Sequence, residues 1–314
     1  MIGRRLGARG PVVTAVGLGC APIGNLYTAV GDAEAAATVD AAWQAGVRYF
    51  DTAPLYGHGL SERRLGAALA RHPRDSYVLS TKVGRLLRPP GATRAESVFA
   101  SVPDVEPVFD FSRDGVLRSI DESLLRLDVD HIDVVLVHDP DDHEAEAMVG
   151  AFPTLIDLRD QGVIGAVGAG MNQAEMLDRF VQRVDLDCVL LAGRYTLLDR
   201  TGAESLLPRC VERGVGVVLG GVFNSGLLVD PDAHPTYDYG AVPPEIAARA
   251  RRMRSVCQRH GIALPAAAVR FALAHPAVTA VLVGARTPGE VDADVAFAAA
   301  TIPDAFWTEL DAAW

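Results

Sequence analysis

Short β-prone runs alternate with helix-prone segments along almost the whole of this 314-residue chain, which limits the folds open to it. Strand character is found in eight runs, 12–19, 47–51, 77–82, 132–138, 164–168, 188–192, 215–219 and 278–283. The run 132–138 is almost entirely apolar, which is typical of a parallel strand buried on both faces. Eight βα units favour a closed (β/α)8 TIM barrel over a doubly wound open sheet. No GxGxxG motif follows the first run, which also disfavours a dinucleotide-binding open sheet. We therefore predict an α/β protein whose residues 1–314 form one barrel domain.

Composition and charge exclude several classes of partner. The chain has 40 acidic residues and 29 basic ones, a net charge of −11, which argues against binding to nucleic acid or to an anionic membrane. No apolar run approaches the roughly 20 residues of a membrane span, and the N-terminus lacks the apolar core of a signal peptide. The four cysteines are far apart and lack metal-ligand spacing. We expect a cytoplasmic protein with free thiols, no metal, and a monomeric or small homo-oligomeric state.

Two intervals between the predicted elements are too long to be simple connections. Residues 84–112 and 223–244 each follow a strand, so both are expected to lie over the C-terminal rim of the barrel. Loops at that rim carry the chemistry of barrel enzymes. Residues 302–314 are predicted to form either another flap or a packing helix.

Four polar side chains stand at the ends of three consecutive strands. Asp51 closes the second strand and Tyr56 follows five residues later, while Lys82 closes the third strand and His138 the fourth. Each has an ordinary structural explanation, such as a turn-capping acid, a lysine that reaches solvent or a hydrogen-bonded core histidine. Because the C-terminal ends of barrel strands meet at one rim, the four together favour an active site.

The segments around these residues resemble the aldo-keto reductase family. The resemblance rests on residues 50–57 (FDTAPLYG), 80–83 (STKV) and 133–138 (DVVLVH), and it extends over nearly the whole chain. It implies an oxidoreductase that uses a nicotinamide cofactor and a catalytic tetrad, which here consists of Asp51, Tyr56, Lys82 and His138.

The chemistry expected of the tetrad follows from its residue types. A free phenol has a pKa of about 10, which is too high for efficient proton transfer near neutral pH. We predict that the Lys82 ammonium lowers the pKa of Tyr56, which then donates or accepts the proton. Asp51 is expected to pair with Lys82, and His138 to orient and polarise the substrate oxygen. The hydride must be carried by a nicotinamide, because no side chain supplies one.

The resemblance also implies which residues bind the cofactor. They follow the ends of the first, second, fifth, seventh and eighth strands and are Gly19, Cys20, Asp51, Asn172, Gly220, Gly221, Val222, Asn224, Gly226, Leu227, Gly284, Arg286, Thr287, Glu290 and Asp294. Asn172 is the expected partner of the nicotinamide amide. The glutamine that the family usually carries on the sixth strand falls at Ala192, and the aromatic residue that often stacks on the nicotinamide falls at Gly220.

The segment after the eighth strand bears on the choice between NAD and NADP. Arg286 offers a cation to a ribose 2′-phosphate. The same stretch carries Glu290, Asp292 and Asp294, and an acid near the 2′ position repels phosphate and accepts a hydrogen bond from a ribose hydroxyl. The acids favour NAD, and Arg286 leaves NADP open.

Within the family, the chain most resembles aldose 1-dehydrogenases, a branch that oxidises sugars such as L-fucose, D-arabinose and L-galactose to lactones and includes pyridoxal dehydrogenases. The expected substrate-binding residues are Tyr56, His138, Asp139 and Arg85. His58 and His143 are predicted to be solvated loop residues. The alternatives are an NADPH-dependent aldehyde or ketone reductase and, in a different class, a cofactor-binding regulatory subunit.

Overall fold

Eight parallel strands form a closed barrel in the computed structural model, which describes residues 2–91, 97–233, 236–238 and 240–314. In chain order the strands are β1 (Val16–Gly19), β2 (Tyr49–Asp51), β3 (Val78–Val83), β4 (Ile132–His138), β5 (Ile164–Met171), β6 (Cys188–Ala192), β7 (Gly216–Gly220) and β8 (Val278–Gly284). Each strand pairs with the next along the chain, and β8 pairs with β1. The predicted (β/α)8 barrel is confirmed.

Helices cover the outside of the barrel. They are α1 (Asp32–Gln44), α2 (Leu60–Leu69), α3 (Arg113–Leu127), α4 (Phe152–Asp160), α5 (Ala174–Arg183), α6 (Leu206–Arg213), α7 (Pro244–Arg259), α8 (Leu264–Ala274), α9 (Pro288–Ala299) and α10 (Asp304–Ala312). None of the helices in the described ranges is both long and apolar enough to cross a membrane.

The barrel strands bury side chains on both faces, as their apolar sequences predict. Tyr49, Leu136 and Leu282 belong to the cluster that fills the barrel interior, whereas Val135 belongs to the layer between strands and helices. Leu6, from the N-terminal segment, joins the interior cluster and is fully buried. Because the interior is packed with side chains, chemistry is confined to the rim.

The first strand differs from its prediction as a single run, 12–19. Val12–Thr14 pairs antiparallel with Gly3–Arg5 in a separate hairpin, and only Val16–Gly19 enters the barrel. The Thr14 hydroxyl donates to the Val16 carbonyl oxygen across the break at 2.7 Å. One apolar run thus serves two sheets, which the alternation of residue types did not distinguish.

The long connections contain structure that the sequence did not reveal. Within 84–112, Arg85–Arg88 pairs with Glu106–Phe109, and within 223–244, Thr236–Tyr237 pairs with Gly240–Ala241. Residues 92–96 of the first interval and 234, 235 and 239 of the second lie outside the described residues.

The helix α7 was not predicted. The helix α10, which packs in one apolar cluster with α7, is a packing helix rather than a flap.

A buried carboxylate connects several chain segments at the N-terminal end of the barrel strands. Asp187 accepts a hydrogen bond from the Val167 amide at 2.9 Å and contacts Arg9 at 3.0 Å and Arg159 at 3.1 Å, with its side chain 1% exposed. Asp185 contacts the same two arginines, but its side chain is 59% exposed.

We predict that Asp187→Ala lowers the free energy of unfolding by about 3 kcal/mol, because it leaves the buried Val167 amide without its acceptor and removes the buried carboxylate from both arginines. Asp185→Ala, the matched control, is expected to cost less than about 1 kcal/mol since its ion pairs are solvent-screened. Urea denaturation of both variants measures the difference, and equal losses would contradict this assignment.

Candidate active site

Three neighbouring strands and one turn bring the predicted tetrad together. Asp51 and His138 are the last residues of β2 and β4, and Lys82 lies next to the end of β3. Tyr56 lies in the turn before α2, where its amide donates to the Ala53 carbonyl oxygen at 3.0 Å. Gly57 follows with a φ of 60°, and a Cβ there would collide with the carbonyl of Gly24. The turn therefore requires glycine directly after Tyr56.

Lys82 and Asp51 form an ion pair beneath the rim. The Lys82 Nζ lies 2.7 Å from Asp51 Oδ2, and the two side chains are 1% and 3% exposed. Lys82 also donates to the Thr52 carbonyl oxygen at 2.9 Å, and the Ser80 hydroxyl donates to the other Asp51 oxygen at 2.7 Å. Burial acts to lower the pKa of Lys82, but attraction to Asp51 and Tyr56 outweighs it, so that pKa is raised and the ammonium persists.

Tyr56 lies directly against this ammonium. The Lys82 Nζ is 4.6 Å from the centroid of the Tyr56 ring, and the His138 ring stands edge-on at 5.8 Å. Burial raises the pKa of Tyr56 to about 12, Lys82 opposes that rise, and Asp51 adds to it. The prediction of a lowered pKa is therefore wrong for the protein by itself. Lys82 acts in the expected direction, but the loss of water around the phenol is the larger effect.

His138 faces Tyr56 as a neutral imidazole. It is 6% exposed, and its Nε2 lies 3.5 Å from Asp139 Oδ2. Burial, with the charges of Arg85 and Lys82, holds the pKa of His138 well below its usual range. A neutral ring carries one N–H donor, which suits a hydrogen bond to a substrate oxygen.

A cavity of about 360 Å³ opens above these side chains. Its lining includes Tyr56, Lys82, His138 and the predicted residues Arg85, Asp139 and Asn172. The apolar part of the lining, which the sequence did not reveal, consists of Ala21, Leu26, Leu55, Val98, Phe99, Met171, Leu190 and Ala192. Leu26 and Phe99 come from different loops and pair in an isolated β-bridge, a long-range contact without a local sequence signal.

Two histidines differ from their prediction as solvated loop residues. His58 is only 5% exposed, and its ring nitrogens contact the Val105 carbonyl oxygen at 2.7 Å and the Ser97 hydroxyl at 3.3 Å. It thereby ties the loop that carries Phe99 to the turn that carries Tyr56. His143 is partly buried, with its ring 4.6 Å from that of Phe109.

The loop after β7 fits the predicted pyrophosphate position. Gly221, Asn224 and Gly226 have φ values of 63°, 46° and 92°, so main-chain groups turn sharply there. Val222 and Leu227 are buried, which leaves only their main chain for contact with a ligand. Asn224 is 7% exposed, and within the described part of the chain its Oδ1 has no hydrogen-bond partner. The unpaired Asn224 Oδ1 could accept a hydrogen bond from a donor of a dinucleotide, such as a ribose hydroxyl or the carboxamide, but not from the pyrophosphate, whose oxygens are acceptors.

Other predicted cofactor residues occupy varied surroundings. Gly19 and Gly284 are neighbours in the register of β1 and β8. Cys20 is fully buried, and its amide donates to the Asp51 carbonyl oxygen at 2.8 Å. A Cβ added at Gly220, where the family often carries an aromatic residue, would make ordinary van der Waals contact with Leu190 and Ala192 at 3.6 and 3.9 Å.

The segment after β8 forms a helix cap. Thr287 is the N-cap of α9 and accepts from the Glu290 amide at 3.3 Å, while Glu290 accepts from the Arg286 amide at 2.7 Å. The Arg286 guanidinium lies 3.5 Å from the same carboxylate. Asp294, one turn further along α9, is 6% exposed, and burial together with Glu290 raises its pKa to about 7.

The fold and the site geometry define a class of enzyme. The chain belongs to the Aldo/keto reductase family, whose sequence model matches residues 15–314, and it is an NAD(P)-dependent oxidoreductase. In the described ranges, no group of three or more His, Cys, Asp or Glu side chains is placed to hold a metal ion.

Individual relatives indicate which branch of the family this chain resembles. The chain is 43% identical to D-threo-aldose 1-dehydrogenase of Pseudomonas sp. over 311 residues, 96% of this chain and 94% of the relative. It is 41% identical to pyridoxal 4-dehydrogenase of Microbacterium luteolum over 328 aligned positions, 98% and 96% of the two chains. The holo form of an aldo-keto reductase from Bacillus halodurans superimposes with a TM-score of 0.81 at 25% identity, covering 100% and 96%. The resemblance to the aldose dehydrogenase branch is confirmed.

We predict that Lys82→Met lowers the free energy of unfolding by about 3–5 kcal/mol, because it leaves the Asp51 carboxylate buried without a counter-charge. The double variant Asp51→Asn/Lys82→Met is expected to recover most of that stability, since both charges are gone. Chemical denaturation of the wild type, the double variant and both single variants measures the coupling. Additive single effects would contradict the pairing.

Proposed function

We propose that this protein is an aldose 1-dehydrogenase, which oxidises the anomeric carbon of a sugar of the L-fucose, D-arabinose or L-galactose type to the lactone. The observation that carries the proposal is the arrangement of Tyr56, Lys82 and His138 beneath a cavity with the polar wall residues Arg85 and Asp139. Hydroxyl-rich substrates need such polar partners. The 43% identity to an aldose dehydrogenase over nearly the full chain supports the same substrate class.

In the proposed reaction, side chains of the protein take up the proton of the anomeric hydroxyl group. Asn172 and the main chain of the loop after β7 would hold the nicotinamide cofactor, which would supply the acceptor for the hydride of the anomeric carbon. Tyr56, as phenolate, takes the proton of the anomeric hydroxyl, and the neutral His138 ring donates a hydrogen bond to that oxygen. Lys82 stabilises the phenolate, which matters because burial otherwise holds the phenol protonated. Asp51 keeps Lys82 in place through their 2.7 Å contact.

Two observations favour a second candidate, the conversion of an aldehyde such as pyridoxal. The chain is almost as similar to a pyridoxal 4-dehydrogenase, at 41% identity. The raised pKa of Tyr56 also keeps the phenol protonated, which is the state needed to donate a proton to a carbonyl in the reductive direction. Rates measured on a panel of aldoses, pyridoxal and simple aldehydes with both nicotinamides separate the two candidates. Oxidation of pyridoxal, or reduction of an aldehyde, that outruns every sugar oxidation would favour the second.

We predict that Tyr56→Phe lowers kcat for aldose oxidation by about 10²–10⁴-fold, because it removes the proton acceptor and leaves the ring in place. The measurement is NADH formation on the responsive aldose. Tyr195→Phe is the control, since Tyr195 stacks on Phe271 at 5.0 Å and is not among the residues that line the cavity, so this variant should keep near-normal rates. A Tyr56 variant with most of its activity would remove this residue from the mechanism.

The proposed cofactor is NAD rather than NADP. Arg286, the cation predicted to meet a 2′-phosphate, is engaged by Glu290 through both its main chain and its guanidinium. Asp294 adds a second acid within one turn of the same helix. Phosphate at this position would meet a cation that is already paired with the Glu290 carboxylate, whereas a ribose hydroxyl finds an acceptor in that carboxylate.

We predict that Glu290→Gln shifts the ratio of kcat/KM for NADP to that for NAD by about tenfold towards NADP, because it frees Arg286 and removes a repelling charge. Asp292→Asn is the control, since Asp292 is an exposed acid on the same helix but Glu290 is the acid that pairs with Arg286, so the ratio should stay near its wild-type value. Kinetics with each cofactor measures the ratio. A wild-type enzyme that already prefers NADP strongly would overturn the proposal.

A further inference from the structure

An arginine and an aspartate face each other in the cavity wall. Arg85 Nη2 lies 3.2 Å from Asp139 Oδ2, and the two side chains are 14% and 31% exposed. A guanidinium in a substrate cavity is well suited to bind a carboxylate or phosphate, because its paired N–H donors match those groups. Here the acceptor nearest to it belongs to the protein itself.

The chain holds this pair in a defined place. Asp139 has a φ of 41°, in the left-handed region where asparagine and aspartate are better tolerated than other side chains, and its amide donates to the Gly170 carbonyl oxygen at 3.0 Å. The Arg85 guanidinium also lies over the Phe109 ring, 4.9 Å from its centroid. Stacking on one side and the carboxylate on the other restrict the guanidinium to this position.

The other charged groups at the cavity add no free cation among the described residues. Lys82 is paired with Asp51 beneath the floor. Asp141 also lines the cavity, and its carboxylate accepts from the neutral Gln173 amide group. The two cations, Arg85 and Lys82, are therefore outnumbered by the carboxylates of Asp51, Asp139 and Asp141. This excess of negative charge would repel an anionic group on a substrate.

We propose that Asp139 determines substrate specificity by keeping the Arg85 guanidinium in an ion pair, so that the cavity admits neutral polyhydroxylated substrates and rejects sugar acids and sugar phosphates. The inference deepens the proposed function, on which it rests for the identity of the sugar. The neutral substrate meets an acceptor in Asp139 and a donor in Arg85, whereas an anion must displace the internal carboxylate before it reaches the guanidinium.

The test is Asp139→Asn, which removes the charge, preserves the shape and suits the left-handed backbone. Two substrate pairs of matched size are compared: the responsive aldose against its uronic acid, and 4-nitrobenzaldehyde against 4-carboxybenzaldehyde. We expect the ratio of kcat/KM for the neutral member to that for the anionic member to fall at least tenfold in each pair, mainly through KM of the anion.

Two further variants separate release of Arg85 from a simple change of charge. Asp141→Asn also removes one negative charge from the cavity wall but leaves the Arg85–Asp139 pair intact, so it should change the ratio less than threefold. The double variant Arg85→Met/Asp139→Asn should lose the gain for anions. If Asp139→Asn does not fold, Asp139→Gly, which readily adopts the same φ, takes its place.

The pH dependence of aldose oxidation by Asp139→Asn provides a second test. Asp139 helps to raise the pKa of Tyr56, and Lys82 and Asp51, which also face the phenol, are unchanged in the variant. Removing the Asp139 charge should therefore move the limb on which oxidation rises with pH, which follows formation of the Tyr56 phenolate, to lower pH, an effect that a purely structural role would not produce.

The proposal is overturned if Asp139→Asn still turns over neutral substrates but its ratios stay at wild-type values, or if Asp141→Asn gives the same gain. A wild type that reduces the nitro-aldehyde but oxidises no aldose would reject the proposed function instead. In that case the benzaldehyde pair still decides whether Asp139 excludes anions.

Discussion

The buried ion pair between Lys82 and Asp51 is the interaction on which the site depends. Removing two charges from water is costly, and only close contact with further hydrogen bonds offsets that cost. The barrel supplies both, because β2 and β3 are paired in register and the Ser80 hydroxyl and Thr52 carbonyl complete the contacts of the pair. The ammonium is thereby fixed against the Tyr56 ring rather than free to reach solvent.

Burial of the site opposes the effect of the Lys82 ammonium on the pKa of the Tyr56 phenol. Exclusion of water raises the pKa of Tyr56 to about 12 even though Lys82 opposes the rise. The protonated phenol is ready to donate a proton to a carbonyl, while oxidation of an alcohol requires the phenolate. In the proposed mechanism, Lys82 is the group that makes this phenolate accessible, and the balance between burial, Lys82 and Asp51 sets the pKa of Tyr56 for both directions.

Arginines held by nearby acids occur at both ends of the proposed ligand path. Arg85 contacts Asp139 in the cavity wall, and Arg286 contacts Glu290 at the start of α9. Each guanidinium would otherwise be a receptor for anions. In a chain with a net charge of −11, local pairing of this kind leaves the proposed path suited to neutral hydroxyl groups rather than to additional phosphates.

The sequence by itself determined the barrel and the positions of Asp51, Tyr56, Lys82 and His138, because the alternation of strands and helices is a local property and strand ends share one rim. It did not determine the split of the run 12–19, the helix α7 or the buried state of His58, which depend on partners far along the chain. Only the tertiary structure decided the direction of the pKa shift of Tyr56 and the pairing of Arg85 with Asp139. Both depend on how much water and which charges surround a group, and those are set by the packing of distant segments.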